Sequence, residues 1–379
     1  MTGLAAALAL GAIALFAWSY LVYPPLILGR AGALVPSAAF SPSTPFSVEV
    51  VLSAADEESV IAARVANLLI QEGGSDYRIA IGCDGCRDRT AERARGAGGA
   101  RVRVVEFPAR RGKAAVLNDL VRDSTADLLI FTDANTRFEP GAVGALARAF
   151  GDAQVGAACG RLIFERAEGA RETPESDFWD RETRMKEAEG ALGICLGANG
   201  AIYAARRVLV LPLPEDTTSM DDFLIPVRVA RVGRTVVFAG GAVAREDAAR
   251  DVVAEVSRRL RIGIGAGQVL RRERWLYAAG AHPLLTLAFL SRKAARWLAP
   301  LLTLCAAVAA LFSAALRPFG AVALLFALLL LGFALFKPRL GGAAGRLYYF
   351  GVLNVALALG VAAGLAGYAR PVWARTARS

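Results

Sequence analysis

The hydrophobic pattern divides the chain into three regions. Residues 4–23, LAAALALGAIALFAWSYLVY, carry no charge, and about 20 apolar residues are enough to cross a bilayer as a helix. A cleaved leader would want a basic start, and MTG supplies none. Between 46 and 275 no such run occurs. Short apolar stretches alternate there with polar, helix-forming ones. FSVEVVLS (46–53) precedes a helical stretch over about 58–71, and YRIAIGC (77–83) precedes an Arg-rich one. VRVVEF (102–107) precedes GKAAVLNDLVRD, and ADLLIF (126–131) precedes PGAVGALARAF. Strands alternating with helices predict an α/β fold with a doubly wound, mostly parallel sheet. Three further apolar stretches, 297–316, 319–336 and 346–368, close the chain.

The organisation expected is a transmembrane helix over 1–30, a linker over 31–45 and an α/β domain over 46–275. An interfacial helix over 276–296, three transmembrane helices over 297–370 and a tail over 371–379 follow. HPLLTLAFLSRKAARW (282–297) predicts the interfacial helix, with leucines on one face and Arg292, Lys293 and Arg296 opposite or flanking it. A continuation of the next membrane helix is the competing reading. Three C-terminal spans place the tail outside, although Arg370, Arg375 and Arg378 there favour the cytoplasm.

Composition sharpens this picture. The 379 residues are 55% hydrophobic and 21% charged, which suits a soluble domain joined to membrane helices. Net charge is +10 with only four lysines, so arginine carries the excess. Arginine suits loops beside anionic lipid and also grips phosphate. A nucleic-acid partner is not expected. The single histidine, His282, excludes Ser-His-Asp, Cys-His and HExxH chemistry. Five cysteines include one CxxC (Cys83, Cys86) with no second pair to make a zinc site. The chemistry must run on carboxylates, Arg and Lys, with or without a bound metal.

Ligands of doubly wound sheets bind at the carboxyl ends of strands. The first strand ends at Ser53, followed by AADEE. The second ends at Cys83, followed by Asp84. The fourth ends at Thr132, followed by Asp133-Ala134-Asn135. An acid and an amide two positions apart can share one Mg²⁺ or Mn²⁺ that also holds a diphosphate. They can equally be a cap and a left-handed turn. Lys113 opens a helix at the same edge, where a cation can contact diphosphate. LGANGAIYAARR (196–207) is a small-residue turn before a strand. Asp221 and Asp222 begin an amphipathic helix, either as dipole partners or as an orienting acid beside a base. Arg258, Arg259 and Arg261 precede the membrane, where they can neutralise a departing diphosphate or meet lipid.

In order, these segments resemble the membrane-bound family 2 glycosyltransferases, the group related to cellulose, hyaluronan and poly-N-acetylglucosamine synthases. The family's opening motif appears as Ser53-Ala54-Ala55-Asp56-Glu57-Glu58, and its uracil-contacting motif as Asp84-Gly85-Cys86-Arg87-Asp88. Its Gly-Lys-x-x-x-Leu-Asn is Gly112-Lys113 through Asn118, and its metal motif is Asp133-Ala134-Asn135. Its Gly-x-Asn-Gly is Gly197-Ala198-Asn199-Gly200, its acid pair is Asp221-Asp222, and its last motif is Arg258 to Ile262. Departures are Ala55 for the uracil-stacking tyrosine, Asn135 for an acid, and Arg258 and Ile262 for Gln and Trp.

The resemblance implies a GT-A fold and inverting transfer from a UDP-sugar to a lipid-linked or polysaccharide acceptor, in exopolysaccharide or envelope glycan synthesis. It implies donor contacts from Ser53, Glu57, Asp84, Lys113, Asp133, Asn199 and Gly200. Asp133 and Asn135 would hold Mg²⁺ or Mn²⁺. Asp222 would be the base, Asp221 its orienter, and Arg259 and Arg261 would stabilise the leaving diphosphate. It implies a multi-pass protein of a bacterial inner membrane with a cytoplasmic catalytic domain, membrane lipid around it, and export partners. Single transfer to a glycolipid or polyprenyl phosphate, and a catalytically weak nucleotide-sugar-binding subunit, are the alternatives.

Overall fold

The computed structural model describes residues 2–32, 46–71, 77–165, 174–247, 252–278, 280, 282–334, 342–370 and 372. Most of the expected linker and tail lies outside these residues. The chain forms two compact units. One comprises Ile27–Ala248 with Arg370–Arg375, and the other comprises Met1–Leu26, Ala249–Ala369 and Thr376–Ser379.

The first unit is built on one eight-stranded sheet. Its strands are β1 (Val48–Ala54), β2 (Tyr77–Asp84), β3 (Val102–Phe107), β4 (Leu128–Phe131), β5 (Arg137–Phe138), β6 (Val155–Glu165), β7 (Tyr203–Arg206) and β8 (Thr235–Asp247). Their spatial order is β3-β2-β1-β4-β7-β6-β8-β5. The first four strands pair in parallel, as the alternation with helices predicts. Val50, Val51 and Leu52 on β1 are fully buried, because helices cover both faces. β7 runs antiparallel to both β4 and β6, while β6 and β8 pair in parallel. The sheet is therefore mixed and mostly parallel.

The first helix runs over Ile61–Leu69, shorter than the expected 58–71. Its start is delayed because the Glu57 and Glu58 amides are drawn sideways, to Thr90 Oγ1 (2.8 Å) and Asp88 Oδ2 (3.1 Å). This lacing joins the loops after β1 and β2.

The second unit is helical. Among the described residues three helices are long and apolar enough to cross a membrane: Thr2–Gly32, Pro283–Leu311 and Leu347–Leu365. The expected interfacial helix over 276–296 is not separate, since Pro283–Leu311 is continuous. A π-helical turn at Phe289–Ala294 carries the backbone through without a break, and Arg292 is fully buried instead of facing away. A second π-turn, Trp18–Val22, precedes Pro24 and Pro25, which lack the N–H groups that a regular register needs. The two π-turns meet. Trp18 Nε1 donates to Ser291 Oγ at 2.8 Å, and Arg296 Nε donates to Ser19 Oγ at 3.1 Å.

The helix Arg317–Ala334 covers most of the expected span over 319–336, whose last two residues lie outside the described residues. The helix Val252–Arg272, read from the sequence as the end of the α/β domain, packs along Gly342–Leu365 in the helical unit. Glycines make that approach possible. A Cβ on Gly263 would lie 2.5 Å from the Leu357 carbonyl oxygen, and one on Gly364 would lie 2.1 Å from that of Ile264.

Candidate active site

The site is assembled from the ends of β1, β2 and β4 and from the turns before two helices. Asp84 ends β2 and is 3% exposed. Its Oδ1 accepts the Arg111 amide at 2.6 Å and its Oδ2 accepts the Gly112 amide at 2.9 Å. The next residue, Gly85, has φ +55°, and a Cβ there would lie 2.5 Å from the Arg110 nitrogen. The loop 109–112 is thus laid against the end of β2 and fixed by Asp84, with Gly112 (φ +94°) turning the chain into the helix Lys113–Arg122. Asn118 on that helix ties down residue 213, donating to its carbonyl and accepting its amide, both at 2.8 Å.

Lys113 is the centre of the arrangement. Its Nζ lies 2.9 Å from Asp133 Oδ1 and 3.0 Å from Asp221 Oδ2. Burial works against the ammonium, but Asp133 and Asp221 outweigh it and raise the Lys113 pKa above its ordinary value. Tyr203 OH donates to Asp221 Oδ2 at 3.0 Å, and its ring stacks on Phe131 with centroids 4.7 Å apart. Burial and then the charge of Asp221 push the Tyr203 phenol well above its usual pKa, so it stays a donor. Asp221 is buried and Asp222 is half-buried, both in the first turn of the helix Asp221–Arg231. Ser219 (φ +50°) and Met220 (φ +155°) just before them are held in sparsely populated backbone conformations, which cluster at functional sites.

Asp133 and Asn135, both partly exposed, occupy one turn closed by the Thr136 amide on the Asp133 carbonyl at 3.4 Å. The oxygen donors suit Mg²⁺ or Mn²⁺, and the Lys113 ammonium on Asp133 shows that the position attracts a cation. Behind it, Arg64 is 3% exposed and donates to Thr132 Oγ1 at 2.7 Å. Burial lowers the Arg64 pKa to about 9, with Asp133 and Glu246 opposing that shift.

Asn199 and Gly200 form a turn against Asp222. The Asn199 amide is engaged at both ends, its Oδ1 by Lys186 Nζ and its Nδ2 by the Gly160 carbonyl at 2.7 Å. Gly200 faces Asp222, whose Oδ2 would lie 3.5 Å from an added Cβ. Ser53 is half-buried on β1, paired with Gly82, and Glu57 lies in the loop that follows. Arg259 and Arg261 belong to the other unit, where Arg258 and Arg259 both donate to the buried Glu255, at 2.7 and 3.0 Å.

Asp56, Cys86 and Asp88 offer ligand atoms within 4.8 Å of one another. Arg110 and the Arg87 amide occupy Asp56, each at 2.7 Å, and the Glu58 and Thr90 amides occupy Asp88. The cluster holds turns together, and its donor set does not suit a metal. Lys186, Arg64 and Tyr203 were not singled out from the sequence. For Lys186 a signal existed: in a chain with four lysines, two lie at this site.

Residues 49–208 match the model of glycosyl transferase family 2. The chain carries a family 2 glycosyltransferase domain. No curated protein sequence matches the chain. Among solved structures, this glycosyltransferase is similar to the mannosyltransferase PcManGT from Pyrobaculum calidifontis in complex with GDP-Man and Mn²⁺. The TM-score is 0.64 at 20% identity, covering 94% of this chain and 99% of that one. It also matches glucosyl-3-phosphoglycerate synthase from Mycobacterium tuberculosis, in complex with Mn²⁺, UDP and glucosyl-3-phosphoglycerate. There the TM-score is 0.40 at 20% identity, covering 57% of this chain and 78% of that one.

Proposed function

We propose that the enzyme transfers a sugar, with inversion, from a UDP-sugar to a membrane-associated glycan or lipid-linked acceptor. The observation that carries this reading is Lys113 bridging Asp133 and Asp221, with the half-buried Asp222 next in the chain. Asp133 and Asn135 would hold Mg²⁺ or Mn²⁺, which neutralises diphosphate charge when bound. Lys113, at the same edge of the sheet, would meet that charge as it develops, and electrostatic stabilisation of the leaving group is the main demand of the reaction.

Asp222 takes the acceptor proton. Its neighbour Asp221 is the wrong group for that task, because Lys113 and Tyr203 both bind its Oδ2. Asp221 instead orients Lys113. Asp84 acts on the donor through the loop that it pins, as well as through any contact with the base. Three helices of membrane-spanning length support an acceptor that lives in or on a bilayer and support the inner-membrane, multi-pass reading. With such an acceptor, the reading extends to a role in exopolysaccharide or envelope glycan synthesis, with export partners.

The test is nucleotide diphosphate release by the full chain in lipid, with UDP-glucose, UDP-N-acetylglucosamine or GDP-mannose and with Mn²⁺ or Mg²⁺. Metal-dependent release from a UDP-sugar, lost in Asp222→Asn, is the expected result. Release from GDP-mannose alone overturns the UDP assignment. Release that survives Asp222→Asn overturns the base.

A further inference from the structure

Lys186 lies on the helix Pro174–Ala191 and is 5% exposed. Burying an ammonium is costly unless its hydrogen bonds are met. Here Nζ donates to the Ala198 carbonyl at 3.0 Å and to the Asn199 side-chain oxygen. Both acceptors belong to the turn 197–200. The same turn touches Asp222 twice. The Ala198 amide donates to the Asp222 carbonyl at 2.7 Å, and Gly200 backs the Asp222 carboxylate. Beyond the turn, the Ala201 carbonyl is held by Thr132 Oγ1 at 2.6 Å, one residue before Asp133. Hydrogen bonds therefore link Lys186 through the turn to the Asp222 backbone, and Gly200 of the same turn packs against the carboxylate proposed as base.

We infer that Lys186 is a positioning residue: it clamps the Ala198–Asn199 turn so that Asp222 faces the acceptor. The inference rests on the assignment of Asp222 above. It also changes the role of Asn199. With its amide held by Lys186 and by Gly160, Asn199 is the part of the turn that receives the clamp. An apolar side chain at 186 would leave the Ala198 carbonyl and the Asn199 oxygen without this donor. The turn would loosen, and a displacement of about 1 Å at a reacting group can cost on the order of 100-fold in rate.

The experiment compares wild type, Lys186→Met and Lys186→Gln, each as the full chain in lipid. It measures steady-state transfer, and amide hydrogen exchange of the segment containing 197–202. In Lys186→Met, kcat is expected to fall by roughly tenfold or more, with the donor KM within about threefold of wild type. Exchange in the segment is expected to quicken. Lys186→Gln keeps one donor and is expected to fall between the two, and if Met at 186 prevents folding, Gln alone carries the test. Unchanged exchange, or quickened exchange with unchanged kcat, overturns the inference. A fall in kcat matched by an equal rise in donor KM and a lower melting temperature also overturns it, since that is general loosening. A wild-type protein that turns over no donor sinks the transferase reading itself, and Asp222 as the target of Lys186 with it.

Discussion

The two units solve opposite problems with polar groups. In the sheet unit, charged side chains are brought inward to a common edge and given polar partners: Lys113 between Asp133 and Asp221, Lys186 on Asn199, Arg64 on Thr132. In the helical unit, closeness comes from the removal of side chains. Gly263, Gly267, Gly360 and Gly364 let two helix backbones touch. The first design makes a place where a small change in charge has a large chemical effect. The second makes a place where a single methyl group has a large mechanical one.

The largest expected effect lies in the sheet unit. Lys113→Met should lower kcat by about 100- to 1,000-fold, the range found when one donor to a developing anion is removed. The melting temperature should fall as well, because Asp221 keeps Tyr203 but loses the cation that neutralises it. A variant with near-normal turnover would show that the bridge is only structural, and the contrast between the units would collapse. Next comes Gly364→Leu in the helical unit. Overpacking of a close contact costs about 1–3 kcal/mol, read as a lower melting temperature and yield. Donor affinity of the protein that does fold should be unchanged. A melting temperature equal to wild type would break the claim that glycine spacing holds these helices.

The smallest effect is in pH dependence. Hydrogen bonds from Ser47 hold the Asp127 carboxyl below its usual range. Such a group contributes stability above its unfolded pKa, about 4, and loses it as pH falls through the lower folded value. Glu255 in the helical unit is also depressed. Burial pushes it up, and Arg258 with Arg259 more than reverses this. Asp127→Asn should therefore be less stable than wild type at pH 7, by under about 1 kcal/mol for so exposed a group. Denaturant melts should show the gap closing toward pH 2. A gap that persists there would mean that Asp127 acts through shape and not charge.

The parallel half of the sheet was legible because β1 to β4 are short apolar runs that stop on polar residues. The same stops point to Asp84, Asp133 and Asn135, which the structure places near the loops expected to work with them. The antiparallel strand β7 was less so, since YAAR pairs with strands on both sides through contacts distant in sequence. Lys186 and Arg64 escaped notice for a similar reason. Each sits in a helical stretch where a charged residue reads as solvent-facing, and only tertiary packing turns it inward. In the helical unit, the arginines of Val252–Arg272 drew attention to phosphate and lipid, whereas its glycines decide where the helix packs. The expected interfacial helix failed because a π-turn lets 283–311 continue through Arg292.

One hydrogen bond in the sheet unit sets a parity rule. The Arg370 amide donates to Thr218 Oγ1 at 2.9 Å, close before the acid pair. The chain leaves this unit at Ala248 and is part of it again at Arg370. Any bilayer crossings in between would therefore be even in number. Among the described residues, Pro283–Leu311 and Leu347–Leu365 are the intervening helices long and apolar enough to make such crossings. Arg370 would then lie on the same side as the sheet unit to which it belongs, where arginine near membranes is normally in excess.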